Sequence, residues 1–168
     1  GKDALLGMMS SLPYRELSDD DTHAIIAFLR SQEPVTTATN GGDNINLIAV
    51  ILFYSEVLFP LDEVTEGVIT APPQGVTVEY GKYVATFGEC RGCHGTDMTG
   101  TAATPVSPAI PNPRAFVGAT TLEQFIQTMR TGVRPDGKAF ADFMPWENAS
   151  RMTDDDLAEL YIYLTTAP

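Results

Sequence analysis

Residues 80–95 read YGKYVATFGECRGCHG and contain both cysteines of the 168-residue chain, Cys90 and Cys93, followed at once by His94. Tyrosine, valine and phenylalanine recur at helical spacing from Tyr80 to Phe87, so an apolar helix runs directly into the cysteines. Two residues between the cysteines place both sulfurs on one side of a short helical turn, and the histidine projects from the same side. The stretch therefore predicts a helical turn that offers two thiols and one imidazole to a single ligand.

This C-x-x-C-H pattern is typical of a covalently attached c-type haem, whose vinyl groups take up the two thiols while the histidine binds the iron. A zinc site needs four ligands, and the second histidine of the chain, His23, lies far from the motif. A thioredoxin-like redox pair would follow a strand in an α/β pattern, which this sequence does not have. The sequence thus predicts one haem c bound by Cys90, Cys93 and His94.

An electron-carrying haem needs a second axial ligand, and the methionines after the motif are the candidates. Met98 follows the motif too closely, Met129 lies at a packing position of a helix, and Met152 matches an apolar position of an internal repeat. Met144 lies in a loop about fifty residues after His94 and precedes a proline. We therefore predict His94/Met144 ligation, which favours ferrous iron and raises the reduction potential relative to two histidines.

The rest of the chain has helical signals and no strand pattern, which predicts an all-α fold. Thr121 caps a helix that continues to about Arg130 and ends at Gly132, and Thr153 caps a C-terminal helix over 153–166. The proline-rich residues 99–118 and the segment 133–147 are expected to be extended loops.

The N-terminal region repeats part of this design. LSDDDTHAIIAFL at 17–29 aligns without a gap with MTDDDLAELYIYL at 152–164, and Met9 falls on Met144. Residues 1–34 are therefore expected to be the distal part of a second lobe of the same kind, one without a haem motif and with its front part outside this sequence. Either an upstream segment supplies a haem to Met9, or the apolar face of the helix packs on the segment 47–59 and a partner subunit, which we favour.

A linker over 35–75 contains one unusual element, the segment LIAVILFYSEVLF at 47–59, which is apolar on nearly every side. A helix of this length spans about 21 Å, short of the roughly 30 Å of a bilayer core, so it is not a transmembrane helix. Its pattern predicts burial between the two lobes or against another subunit.

The formal net charge of −12 is large for this length. It argues against binding to nucleic acid or anionic lipid, because both surfaces would repel the chain. A redox partner with a basic docking surface would suit it, although the charge would also serve solubility alone.

Residues 76–166 resemble a class I cytochrome c domain, and are similar to those of multi-haem or membrane-complex-associated cytochromes of bacterial respiratory chains. The motif-bearing helix, the segment MRTGVRPDGKAFADFMPW and the acidic-capped terminal helix carry the resemblance. It implies a haem-binding domain over 76–168 whose first and last helices cross next to the haem. Residues on both helices would form this contact: Tyr83, Val84, Phe87, Leu160, Tyr161 and Leu164.

The resemblance also implies that Tyr83 and Phe87 line the haem. In this family a proline carbonyl accepts a hydrogen bond from the histidine that binds the iron, and Pro108 or Pro111 would supply it.

The predicted function is one-electron transfer without chemistry on a substrate, as a subunit or relay of a respiratory or photosynthetic membrane-associated complex of a bacterium. Haem attachment to this motif takes place outside the cytoplasm, so the expected location is the periplasm or the extracytoplasmic face of the membrane. The alternative is an open-site haem that acts as a peroxidase-like enzyme or as a ligand sensor, which would require that Met144 does not bind.

Overall fold

The computed structural model describes residues 15–36, 47–48, 51, 67–104 and 108–166. The chain divides into two units, residues 1–70 and 71–168. The named elements of the described residues are all helices, and two isolated bridges, Thr101–Ile110 and Val133–Ala139, are the β-type pairings among them. The predicted all-α fold is confirmed.

The first unit contains helix α1, Asp19–Ser31, which begins where the sequence predicts it. The Ser18 hydroxyl accepts a hydrogen bond from the Asp21 N–H at 3.1 Å, and three aspartates place negative charge at the positive end of the helix dipole. The Asp19 N–H donates to the Ile69 carbonyl at 3.0 Å, which ties the end of this unit to the start of its helix.

The apolar face of α1 is exposed in the described structure. Ile25, Phe28 and Leu29 have relative exposures of 49%, 64% and 63%. Of the predicted helix 47–59, residues Leu47, Ile48 and Ile51 have helical backbone and are exposed. The rest of that segment lies outside the described residues, as does Met9.

The second unit contains six described helices. In chain order they are α2 Val78–Phe87, α3 Cys90–His94, α4 Pro113–Val117, α5 Leu122–Thr131, α6 Trp146–Ala149 and α7 Asp154–Thr165. Thr121 and Thr153 cap α5 and α7 through capping boxes, and Gly132 ends α5 in the left-handed conformation at φ +69°. These caps are the predicted ones.

Helices α2 and α7 cross at Gly81, and this crossing organises the unit. A Cβ atom at Gly81 would lie 2.0 Å from the Glu159 carbonyl oxygen and 2.8 Å from Tyr163 Cβ, so a larger residue would force the helices apart. Val84, Leu157 and Leu160 are almost completely buried beside the crossing. Burial of these apolar side chains in close packing stabilises the folded unit.

The predicted contact between the two helices needs one correction. Val84, Leu160 and Leu164 belong to the common core, whereas Tyr161 is partly buried against that core and contacts α5 instead of α2. Its hydroxyl donates to the Thr120 carbonyl at 2.7 Å and its ring lies 5.8 Å from that of Phe125 on α5. The tyrosine at the crossing is Tyr163, two residues on.

The prediction of an extended loop over 99–118 is wrong at its end, where α4 forms. Asn112 caps this helix by accepting from the Arg114 N–H at 2.8 Å, and Pro113 occupies its first position. Proline is compatible with the first turn of a helix, because the N–H that it lacks has no helical partner there. Likewise α6 falls at the end of the predicted loop 133–147.

Within the described part of the chain, no helix is both long enough and apolar enough to span a membrane.

Candidate functional site

The motif turn is built by helix α3, which begins directly after α2. Glu89 precedes it in the left-handed conformation at φ +61°, a strained geometry for a residue with a side chain. Together with Gly88, Glu89 connects the end of α2 at Phe87 to the start of α3 at Cys90. Cys90 is partly buried, Cys93 is exposed and His94 is half-buried, so the turn presents all three side chains at the edge of the core.

His94 is oriented by the backbone of the loop that follows. Its Nδ1 lies 2.9 Å from the Pro111 carbonyl oxygen, so of the two prolines left open by the sequence the structure places Pro111 at the histidine. A carbonyl oxygen accepts only, so Nδ1 must carry the proton. The lone pair of Nε2 is then free to bind a metal ion.

The Cys90 thiol does not have the environment of a nucleophile. Desolvation raises the pKa of the Cys90 thiol to about 11, with smaller contributions of the same sign from Cys93 and Glu89. A redox-active or zinc-binding cysteine needs the opposite shift, towards the thiolate. Among the described residues, moreover, no three His, Cys, Asp or Glu side chains come together as a metal site would require.

Met144 lies in a tightly folded loop. Its N–H donates to the Ala141 carbonyl at 2.9 Å, and its own carbonyl accepts from the Trp146 N–H at 2.8 Å. The side chain is half-buried and packs against the core cluster. A thioether held in this way is a candidate axial ligand.

The loop is fixed to helix α5 through a glycine. Gly132 is buried, and a Cβ atom there would lie 2.4 Å from Cε2 of the Trp146 indole. The indole of Trp146, two residues after Met144 in sequence, therefore packs on the backbone at the end of α5. The Phe140 N–H also donates to the Gly132 carbonyl, at 2.8 Å, so both arms of the loop meet at this glycine.

Arg130 binds the segment that leads from the methionine loop into α7. Its Nη1 donates to the carbonyls of Ser150 and Met152, and its Nη2 pairs with Asp154 at 2.6 Å. Helix α5 thus holds both the methionine loop and the start of α7.

The other methionines of this unit are placed as packing residues. Met98 and Met129 are buried in the core, and Met152 packs against it with its methyl group beside Gly88.

Tyr83 and Phe87 lie on the same face of α2, with ring centroids 5.5 Å apart in an edge-to-face arrangement. Tyr83 is buried, while Phe87 remains 37% exposed at the end of the helix nearest the motif. Two thiols and an imidazole with a free Nε2 on one turn, together with a half-buried thioether in the same unit, are donors whose chemistry fits a haem c.

Four residues that hold the helix crossing and the methionine loop in place were not predicted in these roles: Gly81, Gly132, Trp146 and Arg130. Gly132 carried a signal, but a glycine after a helix is explained by capping alone. The single tryptophan directly after Met144-Pro145 was a further signal, since a large ring in a loop needs a surface on which to pack.

Residues 78–168 match the family described as Cytochrome c. The chain belongs to the cytochrome c family. Of its two units, the second contains the cytochrome c domain, which includes the motif turn, Pro111 and Met144. The resemblance stated from the sequence is thereby confirmed.

Relatives with described roles are similar to part of the chain. The cytochrome c subunits of quinone-type alcohol dehydrogenases from Gluconacetobacter polyoxogenes and Komagataeibacter europaeus are each 31% identical over 121 residues, which is 66% of this chain and 26% of the relative. The fructose dehydrogenase cytochrome subunit of Gluconobacter japonicus is 29% identical over 102 residues, or 54% of this chain and 21% of the relative. The matches thus cover about a quarter or less of these relatives. No solved structure matches the chain significantly.

Proposed function

We propose that the cytochrome c domain carries single electrons through one haem c, attached at Cys90 and Cys93 and bound by His94 and Met144. The observation that carries this proposal is the contact between His94 Nδ1 and the Pro111 carbonyl, which leaves Nε2 as the ligand atom. The haem supplies the redox change of its iron between the ferrous and ferric states.

The protein's own residues would keep that iron in one environment. The Pro111 carbonyl fixes the tautomer and the ring orientation of His94, and so limits movement of this ligand when the charge changes. The loop fixed at Gly132 and Trp146 would hold Met144 in place in both oxidation states. With His94 and Met144 both bound to the iron, the protein would leave no position open for a substrate.

Replacing Met144 with alanine tests the ligand set. We expect loss of the weak far-red absorption band of methionine-ligated ferric haem, and a lower reduction potential, because the thioether favours ferrous iron. Met129→Ala is the matched control: it removes a buried methionine and costs stability, but should keep the band. Retention of both band and potential in Met144→Ala would refute the assignment.

Carbon monoxide separates an electron carrier from an open-site haem enzyme or sensor. The ferrous wild-type protein should bind it weakly or not at all, whereas ferrous Met144→Ala should bind it readily. Rapid binding to the wild type would favour the peroxidase-like or sensor function. The intact mass of the holoprotein would show whether this chain holds one haem.

We further propose that the chain works in a bacterial dehydrogenase complex on the extracytoplasmic side of the membrane. The names of its relatives support this, because each is the cytochrome subunit of an alcohol or fructose dehydrogenase. A dehydrogenase that oxidises its substrate needs an electron acceptor, and a haem domain in the same complex supplies one.

Residues 1–34 are proposed to be the distal part of a second cytochrome-like lobe that contacts another subunit of this complex. The repeat supports the proposal, because Ile25, Phe28 and Leu29 occupy the register of three residues that α7 buries. Placing glutamate at both Ile25 and Phe28 should leave the isolated chain folded but prevent its copurification with the complex. A glutamate at Ala27, on the opposite side of α1, should have no effect, and equal copurification of both variants would refute the contact.

A further inference from the structure

Arg91, the residue between the two attachment points that sequence reasoning passed over, is buried. Only 5% of its surface is exposed, although it lies in a turn whose neighbours Gly92 and Cys93 are exposed. Its side chain points into the protein instead of into solvent. A guanidinium is charged, and its removal from water is costly unless it gains well-placed partners.

The guanidinium joins the three segments that surround the attachment turn. Its Nε donates to the Thr96 carbonyl at 2.8 Å, in the loop after the motif. Its Nη1 donates to Thr86 Oγ1 at 2.6 Å, in the last turn of α2, and that hydroxyl donates in turn to the Lys82 carbonyl at 2.8 Å. One side chain thus ties the preceding helix, the turn and the following loop together.

We propose that Arg91 is a positioning residue that sets the attachment turn for its haem, and that its fixed positive charge favours the ferrous state and so raises the reduction potential. The second effect follows from charge balance. Oxidation would add one positive charge at the iron, and a cation buried beside the attachment turn, on Thr86 and Thr96, would oppose that change. Because Arg91 is buried, dissolved salt screens this effect much less than that of a surface charge.

This inference rests on the proposed haem at Cys90 and Cys93, so the wild-type holoprotein is first tested by mass for covalent haem. Arg91→Gln, Arg91→Lys and Arg151→Gln are then compared for the fraction of chain that acquires haem and for potential at low salt and at 1 M salt. Arg151 is exposed, so Arg151→Gln makes the same charge change without burial.

We expect Arg91→Gln to acquire less haem than the wild type and to have a lower potential, and the decrease should persist at 1 M salt. Arg91→Lys keeps the charge and should restore most of the potential, while any shift in Arg151→Gln should shrink with salt. Failure of both Arg91 variants to acquire haem, with normal loading of Arg151→Gln, would support the positioning role.

Normal loading and an unchanged potential in Arg91→Gln would overturn the inference while leaving the haem assignment intact. Equal potentials in Arg91→Lys and Arg91→Gln, both below the wild type, would overturn the effect of charge. Absence of covalent haem from the wild type would instead overturn the proposed function.

Discussion

Replacing Gly132 with alanine should displace Trp146 and loosen the loop that carries Met144. The substitution acts in two ways, because Gly132 has φ +69° and a Cβ atom there would lie 2.4 Å from the indole. A side chain in the left-handed conformation costs about 1–2 kcal/mol. Forcing extra volume against a packed ring costs a further 1–3 kcal/mol or so, which gives a total of about 2–5 kcal/mol.

Gly137→Ala is a matched control, because Gly137 also has a positive φ of +81° but would bring no atom within 4 Å of a new Cβ. It should cost only the backbone term of about 1–2 kcal/mol. Guanidinium unfolding of the two holoproteins measures the difference, and the far-red band measures ligation by Met144. We expect the band to weaken in Gly132→Ala and to persist in Gly137→Ala. Equal stabilities with an intact band in both would refute the proposed support of the loop by Trp146.

Three further predictions concern charged groups. Arg114 donates to three carbonyls at the end of α7, among them that of Thr166 at 2.6 Å. Arg114→Met should therefore lower the free energy of unfolding by about 2–4 kcal/mol. A loss below about 0.5 kcal/mol would contradict this prediction. Burial raises the pKa of Glu159, and the nearby Asp156 and Asp155 raise it further. The folded state therefore binds the carboxyl proton of Glu159 more tightly than the unfolded state does. The protein loses stability as the pH rises above the ordinary pKa of 4.5. Glu159→Gln should therefore be more stable than the wild type near pH 7, with a gain that fades towards pH 4.5, and a pH-independent difference in unfolding free energy would contradict it. Finally, because the chain is acidic, rising ionic strength should slow electron transfer with the cation hexaammineruthenium and speed electron transfer with the anion ferricyanide. Rates that do not change with salt would assign the charge to solubility alone.

The sequence predicted the elements whose causes are local. Ser18, Thr121 and Thr153 each cap a helix within three residues of themselves, and the attachment motif needs only five consecutive residues. The proline-rich segment was harder, because Asn112-Pro113 is a good start for a helix but lies among prolines that favour extended chain. The helix start at Asn112-Pro113 was missed because the neighbouring prolines favour extended chain.

Several residues that hold the second unit together could not be predicted, because their partners are distant in sequence. The carbonyls that Arg114 binds lie about fifty residues on, at the end of α7. The choice between Tyr161 and Tyr163 depends on the rotation of α7, since both are aromatic and both lie on its apolar side. That rotation is set at Gly81, where the two helix backbones come into contact.

The two units of the chain contain a similar helix but bury its apolar face to different extents. In α7 the register that contains Leu160, Tyr163 and Leu164 is buried, while the equivalent residues of α1 are exposed. Residues 1–70 also contain eleven acidic and three basic residues, against eleven and seven in residues 71–168. The apolar face that the second unit buries is therefore exposed in the unit with the more negative charge, a combination that burial against a basic partner would stabilise, as proposed above.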